Sequence, residues 1–142
     1  MKIAIGSDAK GFEMKQDLIA YFQSLGYPVR DVTPEPDLDF VDAAVRVSKA
    51  VRDQRADRGI IIDEYGIGSF MAANKHKGII CAHVCNEHSA EMTRRHNNAN
   101  ILAIGSGMVG KTLARKISRV FVEQEYDGGR HQIRVDMLNR QC

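Results

Sequence analysis

Short apolar runs alternate with segments of helical period along almost the whole chain, and this alternation restricts the fold more than any single motif does. The clearest run is Ile60-Ile61-Ile62, which stops at Asp63 and Glu64. Tyr65-Gly66-Ile67-Gly68 follows, and then the helix-forming segment Ser69-Phe70-Met71-Ala72-Ala73-Asn74-Lys75. Strand, glycine turn and helix start occur in immediate succession. Glycine lets the backbone approach a ligand closely, and the first turn of a helix leaves N–H groups without partners. Such a turn suits a phosphate or a transient oxyanion. It equally suits a tight connection with no ligand, so Gly66 and Gly68 need support from elsewhere in the chain.

That support comes from the other loops. Residues 2–5 read as the first strand, and Gly6-Ser7-Asp8 as a turn with a helix cap in Ser7 or Asp8. Over residues 12–25, Met14, Leu18, Tyr21, Phe22 and Leu25 recur at helical spacing, and Gly26 stands at the C-cap. Residues 29–32 form a short strand, and a proline-fixed loop runs from Thr33 to Asp37. Val41, Ala44, Val45 and Ser48 mark the second helix. After strand three, residues 79–84 and 101–104 read as strands four and five, with a helix over residues 87–97 between them. Leu113, Ile117, Val120 and Phe121 line one face of the last long helix.

This pattern predicts a five-stranded parallel sheet with helices on both faces, followed by a C-terminal helical tail. Residues 1–142 contain no repeat or linker and read as one domain, with 126–142 as a tail. Ligands of such sheets sit beyond the carboxyl ends of the strands. Gly6 to Asp8, Thr33, Asp63 to Gly68, Asn86 and Gly105 to Gly107 are all expected there, which favours a ligand-binding role for Gly66 and Gly68. A net charge of +2 gives no electrostatic case for nucleic acid or a membrane surface. No apolar run reaches transmembrane length, and the three cysteines lack a disulfide framework, so the chain reads as cytoplasmic. Cys81-Ala82-His83-Val84-Cys85 alternates faces of a predicted strand, which fits buried thiols rather than a metal site.

Two further clusters carry chemistry. Arg94-Arg95-His96-Asn97-Asn98-Ala99-Asn100 closes the fourth helix, where cations are favoured by the dipole and asparagines order the turn. His96 is the side chain there suited to proton transfer near neutral pH. His76 and His88 read as exposed, His83 as a strand residue and His131 as a neighbour of two arginines. In the tail, Arg130 and Arg134 are spaced i, i+4, which puts both on one helix face and suits either a phosphate or solvent. Ile133, Met137 and Leu138 are expected to pack the other side, and a tail with an apolar stripe needs a surface to lie against.

Together these stretches resemble the sugar-phosphate isomerase family that includes ribose-5-phosphate isomerase B and the two subunits of galactose-6-phosphate isomerase. The similarity rests on Ile5-Gly6-Ser7-Asp8 with Gly11-Phe12, Gly66-Ile67-Gly68 with Ala72-Ala73-Asn74-Lys75, Arg95-His96-Asn97 with Ala99-Asn100, and Gly128-Gly129-Arg130 with Arg134. It implies a Rossmann-like three-layer α/β/α domain, active sites shared between subunits, and aldose–ketose isomerisation with no metal or cofactor. By resemblance His96 opens the sugar ring, Asn97 hydrogen-bonds the sugar, and Arg130 and Arg134 hold the phosphate.

The departures point to a partner. Active members carry Asp-His after the first strand, where this chain has Asp8-Ala9. They carry Cys-Gly-Thr or Cys-Gly-Ser before the glycine turn, the cysteine acting as the C2 base, where this chain has Asp63-Glu64-Tyr65. Relatives lacking the cysteine use a glutamate just after the turn, and here that position is Ser69. The resemblance therefore implies a degenerate pocket of the chain's own at Asp8, Asp63, Gly66 and Gly68. A homologous cysteine-bearing subunit would complete the site for converting galactose 6-phosphate to tagatose 6-phosphate. A self-sufficient isomerase of ribose 5-phosphate using Asp63 or Glu64, and a non-catalytic sugar-phosphate-binding scaffold, are the two alternatives left open.

Overall fold

The computed structural model describes all 142 residues. Strands β1 (Ile3–Ser7), β2 (Val29–Asp31), β3 (Arg58–Asp63), β4 (Cys81–His83) and β5 (Ile101–Gly105) alternate with helices α1 (Phe12–Ser24), α2 (Phe40–Arg52), α3 (Gly68–Ala73), α4 (Glu87–Asn97) and α5 (Lys111–Glu123). A 3-10 turn over Gly129–His131 leads into α6 (Gln132–Asn139). The strands make one sheet in the order β2-β1-β3-β5-β4, and every pairing is parallel. This is the three-layer architecture expected from the alternation. The strand order reverses between β1 and β3, so the crevice beyond their carboxyl ends is the switch point where such sheets hold ligands.

Successive side chains of β3 point to opposite faces, and the core divides accordingly. Ile60 and Ile62 join Met14, Leu18 and Phe22 of α1, Ala90 of α4, and Ile117 and Phe121 of α5. Ile61 joins Ala44 and Val47 of α2 and Ala73 of α3 on the other side. Both faces of β3 are therefore dry, and a continuous isoleucine run is what a doubly covered parallel strand requires. β4 is shorter than the apolar run over residues 79–84. Side chains take over its amino end, where Asn100 Oδ1 accepts from Ile80 N (2.9 Å) and Asn74 exchanges two hydrogen bonds with the backbone of Cys81 (2.9 Å each).

The apolar stripe of α1 contains a charge. Lys15 is fully buried, three and seven residues before Leu18 and Phe22. Its ammonium donates to both carboxylate oxygens of Asp31 (3.0 Å each) and to the carbonyl of Thr33. Thr33 Oγ1 in turn accepts from Ser7 N at 2.9 Å. One buried cation thus joins α1 to the carboxyl ends of β1 and β2 and fixes the backbone beside Asp8. Breaking a buried pair by removing one partner leaves the other charge uncompensated, which costs about 3–5 kcal/mol. Asp31 keeps a partly exposed side chain, so Lys15→Ala is expected near the lower end, about 3 kcal/mol, measured by urea unfolding. A loss below about 0.5 kcal/mol, the range of ordinary surface changes, would show that the network does not hold the β1–β2 edge.

Candidate active site

In a parallel sheet all strands end at one edge, and each following helix carries the chain back to the other. Asp8, Asp63, Gly66 and Gly68 lie at the carboxyl edge. α4 starts there and returns, so its last turn, with His96 and Asn97, lies at the amino edge, where Asn100 N donates to Ile80 O and Gly59 N to Asn100 O. The five residues of β5 separate the two edges by roughly 16 Å at about 3.3 Å per residue.

At the carboxyl edge Asp63 is buried, and its carboxylate is turned into its own loop. Oδ1 accepts from Gly66 N (2.6 Å) and Ser69 Oγ (3.0 Å), and Oδ2 accepts from Ser69 N (3.3 Å). The side chain therefore occupies the donors that a bound anion would use. Gly66 has φ +76°, and a Cβ there would lie 2.8 Å from Gly105 N and from the His83 ring. A Cβ on Gly68 would lie 2.6 Å from the Phe40 ring. Gly66 is thus required by its positive φ and the backbone packed against it, whereas a Cβ at Gly68 would have to displace the half-buried Phe40 ring. Asp8 Oδ1 accepts from Gly11 N (2.9 Å). Burial, with the neighbouring Asp63 carboxylate, pushes the Asp8 carboxyl above the usual range even though the Gly11 N–H pulls the other way. The cavity between them measures about 300 Å³ and is lined by Asp8, Lys10, Phe40, Glu64, Tyr65 and Ile67. Of these lining residues, Tyr65 is 54% exposed.

The amino edge carries a second cluster. Asn98 adopts the left-handed conformation (φ 52°, ψ 37°) and closes α4, as its position in the sequence indicates. Arg94 is buried, and its guanidinium donates to Gln124 O (3.1 Å), Asn98 Oδ1 (3.0 Å) and Ala99 O (2.6 Å). Burial pulls its pKa down to about 10, still protonated at neutral pH. Arg95 binds the tail instead. Its Nε donates to both carboxylate oxygens of Asp127 (3.1 and 3.2 Å), and Asp127 N donates back to Arg95 O (3.0 Å). This clasp brings the tail against α4, so that the His131 ring stacks on His96 with centroids 4.2 Å apart and planes 15° apart. Asp127 and the His96–His131 stack escape sequence reasoning because their partners lie about thirty residues away; Lys15 and Arg94, by contrast, are charges placed on buried helix faces, which is a readable signal.

Several expectations change. Arg130 falls in the 3-10 turn and Arg134 in α6, so they do not share one regular helix; the left-handed glycines Gly128 (φ +66°) and Gly129 (φ +58°) delay the helix start. Both arginines are exposed. Ile133, Met137 and Leu138 are exposed by 67%, 53% and 47% rather than packed, and Val135 alone anchors α6. His76 is half-buried, not exposed. Of the two thiols expected to be buried, Cys81 is, and burial raises its pKa well above the usual value; Cys85 is half-buried, with Sγ 3.8 Å from His83 Nε2. A cavity of about 780 Å³ runs along the free side of β4 and is lined by Phe70, Ile80, Ala82, Met92, Asn97 and Leu138 among others.

The sequence matches the model of the Ribose/Galactose Isomerase family over residues 3–138. The chain belongs to that family. Within it, the chain is 56% identical over 140 residues to the galactose-6-phosphate isomerase subunit LacA of Clostridium acetobutylicum, covering 99% of each. It is 51% identical to the subunit of the same name from Staphylococcus aureus over the full length of both. Its fold superposes on ribose-5-phosphate isomerase B of Clostridium thermocellum with a TM-score of 0.95 and 40% identity, covering 98% of this chain and 95% of the other. No helix is long and apolar enough to cross a membrane.

The bonding of Asp63 has a direct consequence. Asp63→Ala leaves two buried backbone N–H groups without an acceptor, at a cost of about 2 kcal/mol. Thermal unfolding is expected to show that loss, whereas a residue held in reserve for proton abstraction would be replaced with little change in stability.

Proposed function

We propose that the chain is one subunit of an aldose–ketose isomerase that interconverts galactose 6-phosphate and tagatose 6-phosphate. It lends His96, Asn97, Arg130 and Arg134 to a pocket whose base and oxyanion donors come from a homologous, cysteine-bearing partner. The observation that carries this reading is the position of the two clusters at opposite edges of one sheet. Groups roughly 16 Å apart cannot act on one sugar, so His96 needs another chain's carboxyl-edge loop. The chain's own loop has its anion-binding donors taken by Asp63, which removes the competing site. The relatives named as galactose-6-phosphate isomerase subunits support the substrate and the dependence on a partner. The uncovered side chains of Ile133, Met137 and Leu138 support docking of the tail, residues 126–142, on that partner.

The division of labour follows from the chemistry. The pyranose ring opens as His96 protonates the ring oxygen, and the partner's base then takes the C2 proton. Asn97, exposed beside His96, hydrogen-bonds the sugar or the enediolate. Arg130 and Arg134 bind the phosphate, and this remote binding positions the reacting carbon. The purified chain alone is expected to show negligible isomerase activity, and addition of the cysteine-bearing homologue to restore it. Robust turnover by the isolated chain, abolished by Asp63→Asn, would overturn the proposal.

In the reconstituted assembly, His96→Ala is expected to lower kcat by about 10²–10⁴-fold. Arg130→Ala is expected to lose about 1.5–3 kcal/mol of charge-assisted bonding to phosphate, seen in kcat/KM for the phosphorylated sugar. Steady-state kinetics on both variants separates this reading from a scaffold subunit, which would tolerate either change.

A further inference from the structure

Opening a cyclic sugar is a double proton transfer. As the bond between C1 and the ring oxygen breaks, the ring oxygen gains a proton and the anomeric hydroxyl loses one, leaving C1 as a carbonyl. No electron leaves the sugar, and the protonated and deprotonated oxygens sit on the same carbon. A single imidazole supplies one half of this exchange at a time. The other half needs a base close by, in the opposite protonation state.

The structure places a second imidazole in contact with the first. His131 stacks on His96 at 4.2 Å between centroids, and a nitrogen of each ring and a carboxylate oxygen of Asp127 all lie within 4.8 Å of one another. Three independent features build this arrangement. Asp127 is clasped by Arg95 through side chain and backbone, two left-handed glycines turn the chain immediately after it, and His131 N closes the 3-10 turn onto Gly128 O (3.2 Å). The phosphate-binding role proposed for Arg130 and Arg134 does not require that stack.

We propose that His131 is the second member of an acid–base couple with His96. His96 gives its proton to the ring oxygen while His131 takes the proton of the anomeric hydroxyl, and Asp127 is the positioning residue that holds the two rings together. One proton passes from His96 to His131 through the sugar, and ring closure returns it. The inference rests on the subunit reading above, since it adds to the ring-opening role given to His96 there.

The surroundings favour one proton on the pair rather than two. Burial lowers the pKa of His131, and the facing charges of His96, Arg130 and Arg134 lower it further, against the opposing Asp127 carboxylate that Arg95 already engages. His131 is therefore the ring disposed to be neutral near pH 7, as a base must be. Like charges in contact disfavour double protonation, so a proton on one ring opposes a proton on the other.

Exchange between the α and β anomers of galactose 6-phosphate isolates ring opening from isomerisation. Saturation-transfer NMR would follow it in the assembly whose partner has its C2 base replaced by alanine. The intact couple is expected to accelerate exchange, His131→Gln and His96→Gln each to lose about 10²-fold or more of that acceleration, and the double variant to lose no more than either single one. Asp127→Ala is expected to weaken exchange and Asp127→Glu to restore it, which guards against a His131 variant that merely misfolds the tail. Unchanged exchange in His131→Gln, with loss in His96→Gln, would overturn the couple. An assembly that isomerises but never accelerates anomer exchange would overturn it too. Failure of the unmodified assembly to isomerise at all would instead count against the subunit reading. On the chain alone, NMR titration of His131 is expected to move upward in His96→Gln and downward in Asp127→Asn; an unmoved His131 in both would show that the rings do not interact in solution.

Discussion

A parallel sheet has two unlike edges, and the chemistry of this chain is divided between them. Loops after the strands gather at one edge, and helix ends before the strands gather at the other. Five parallel strands in the order β2-β1-β3-β5-β4 therefore fix which functional groups can meet within one molecule. Asp8 and Asp63 face the switch point between β1 and β3, while His96 and the tail sit a strand length away. No adjustment of side chains closes such a gap. The separation of the two clusters is thus a consequence of connectivity before it is a matter of residue identity.

Residue identity then deepens the division. A carboxylate at position 63 meets a turn rich in backbone donors and satisfies itself there, through Gly66 N, Ser69 N and Ser69 Oγ. Buried charge is tolerable only when it is hydrogen-bonded. The backbone donors of the turn thus stabilise the side chain, and the loop is capped from within. At the β1–β2 edge the fully buried Lys15 is balanced by Asp31 and Thr33 under the same rule. Both networks tie down the loops of the carboxyl edge.

The amino edge is built differently, from contacts between segments distant in the chain. Arg95 and Asp127 are thirty-two residues apart, and their clasp sets the course of everything after it. Two left-handed glycines follow at once, so the backbone reverses sharply and delivers His131 onto His96. α6 then runs on with Ile133, Met137 and Leu138 facing outward as an exposed apolar surface. Arg130 and Arg134 are carried by one continuous helical stretch whose first turn is 3-10 rather than α, so the helix is less regular than their spacing implies.

The sequence alone determined the layered parallel sheet, because a doubly covered strand must be apolar on both sides and helices must repeat at their own period. It also singled out the turn asparagines after the fourth helix, whose signals are local, and Asn98 closes that helix. Tertiary structure alone decided what the candidate site residues face. Asp63 turns into its own loop and caps it, and His131 becomes the stacking partner of His96. Each outcome depends on a contact whose partner is elsewhere in the chain or on which way a side chain turns, and local patterning encodes neither. Periodicity states how a segment folds; only packing states what it meets.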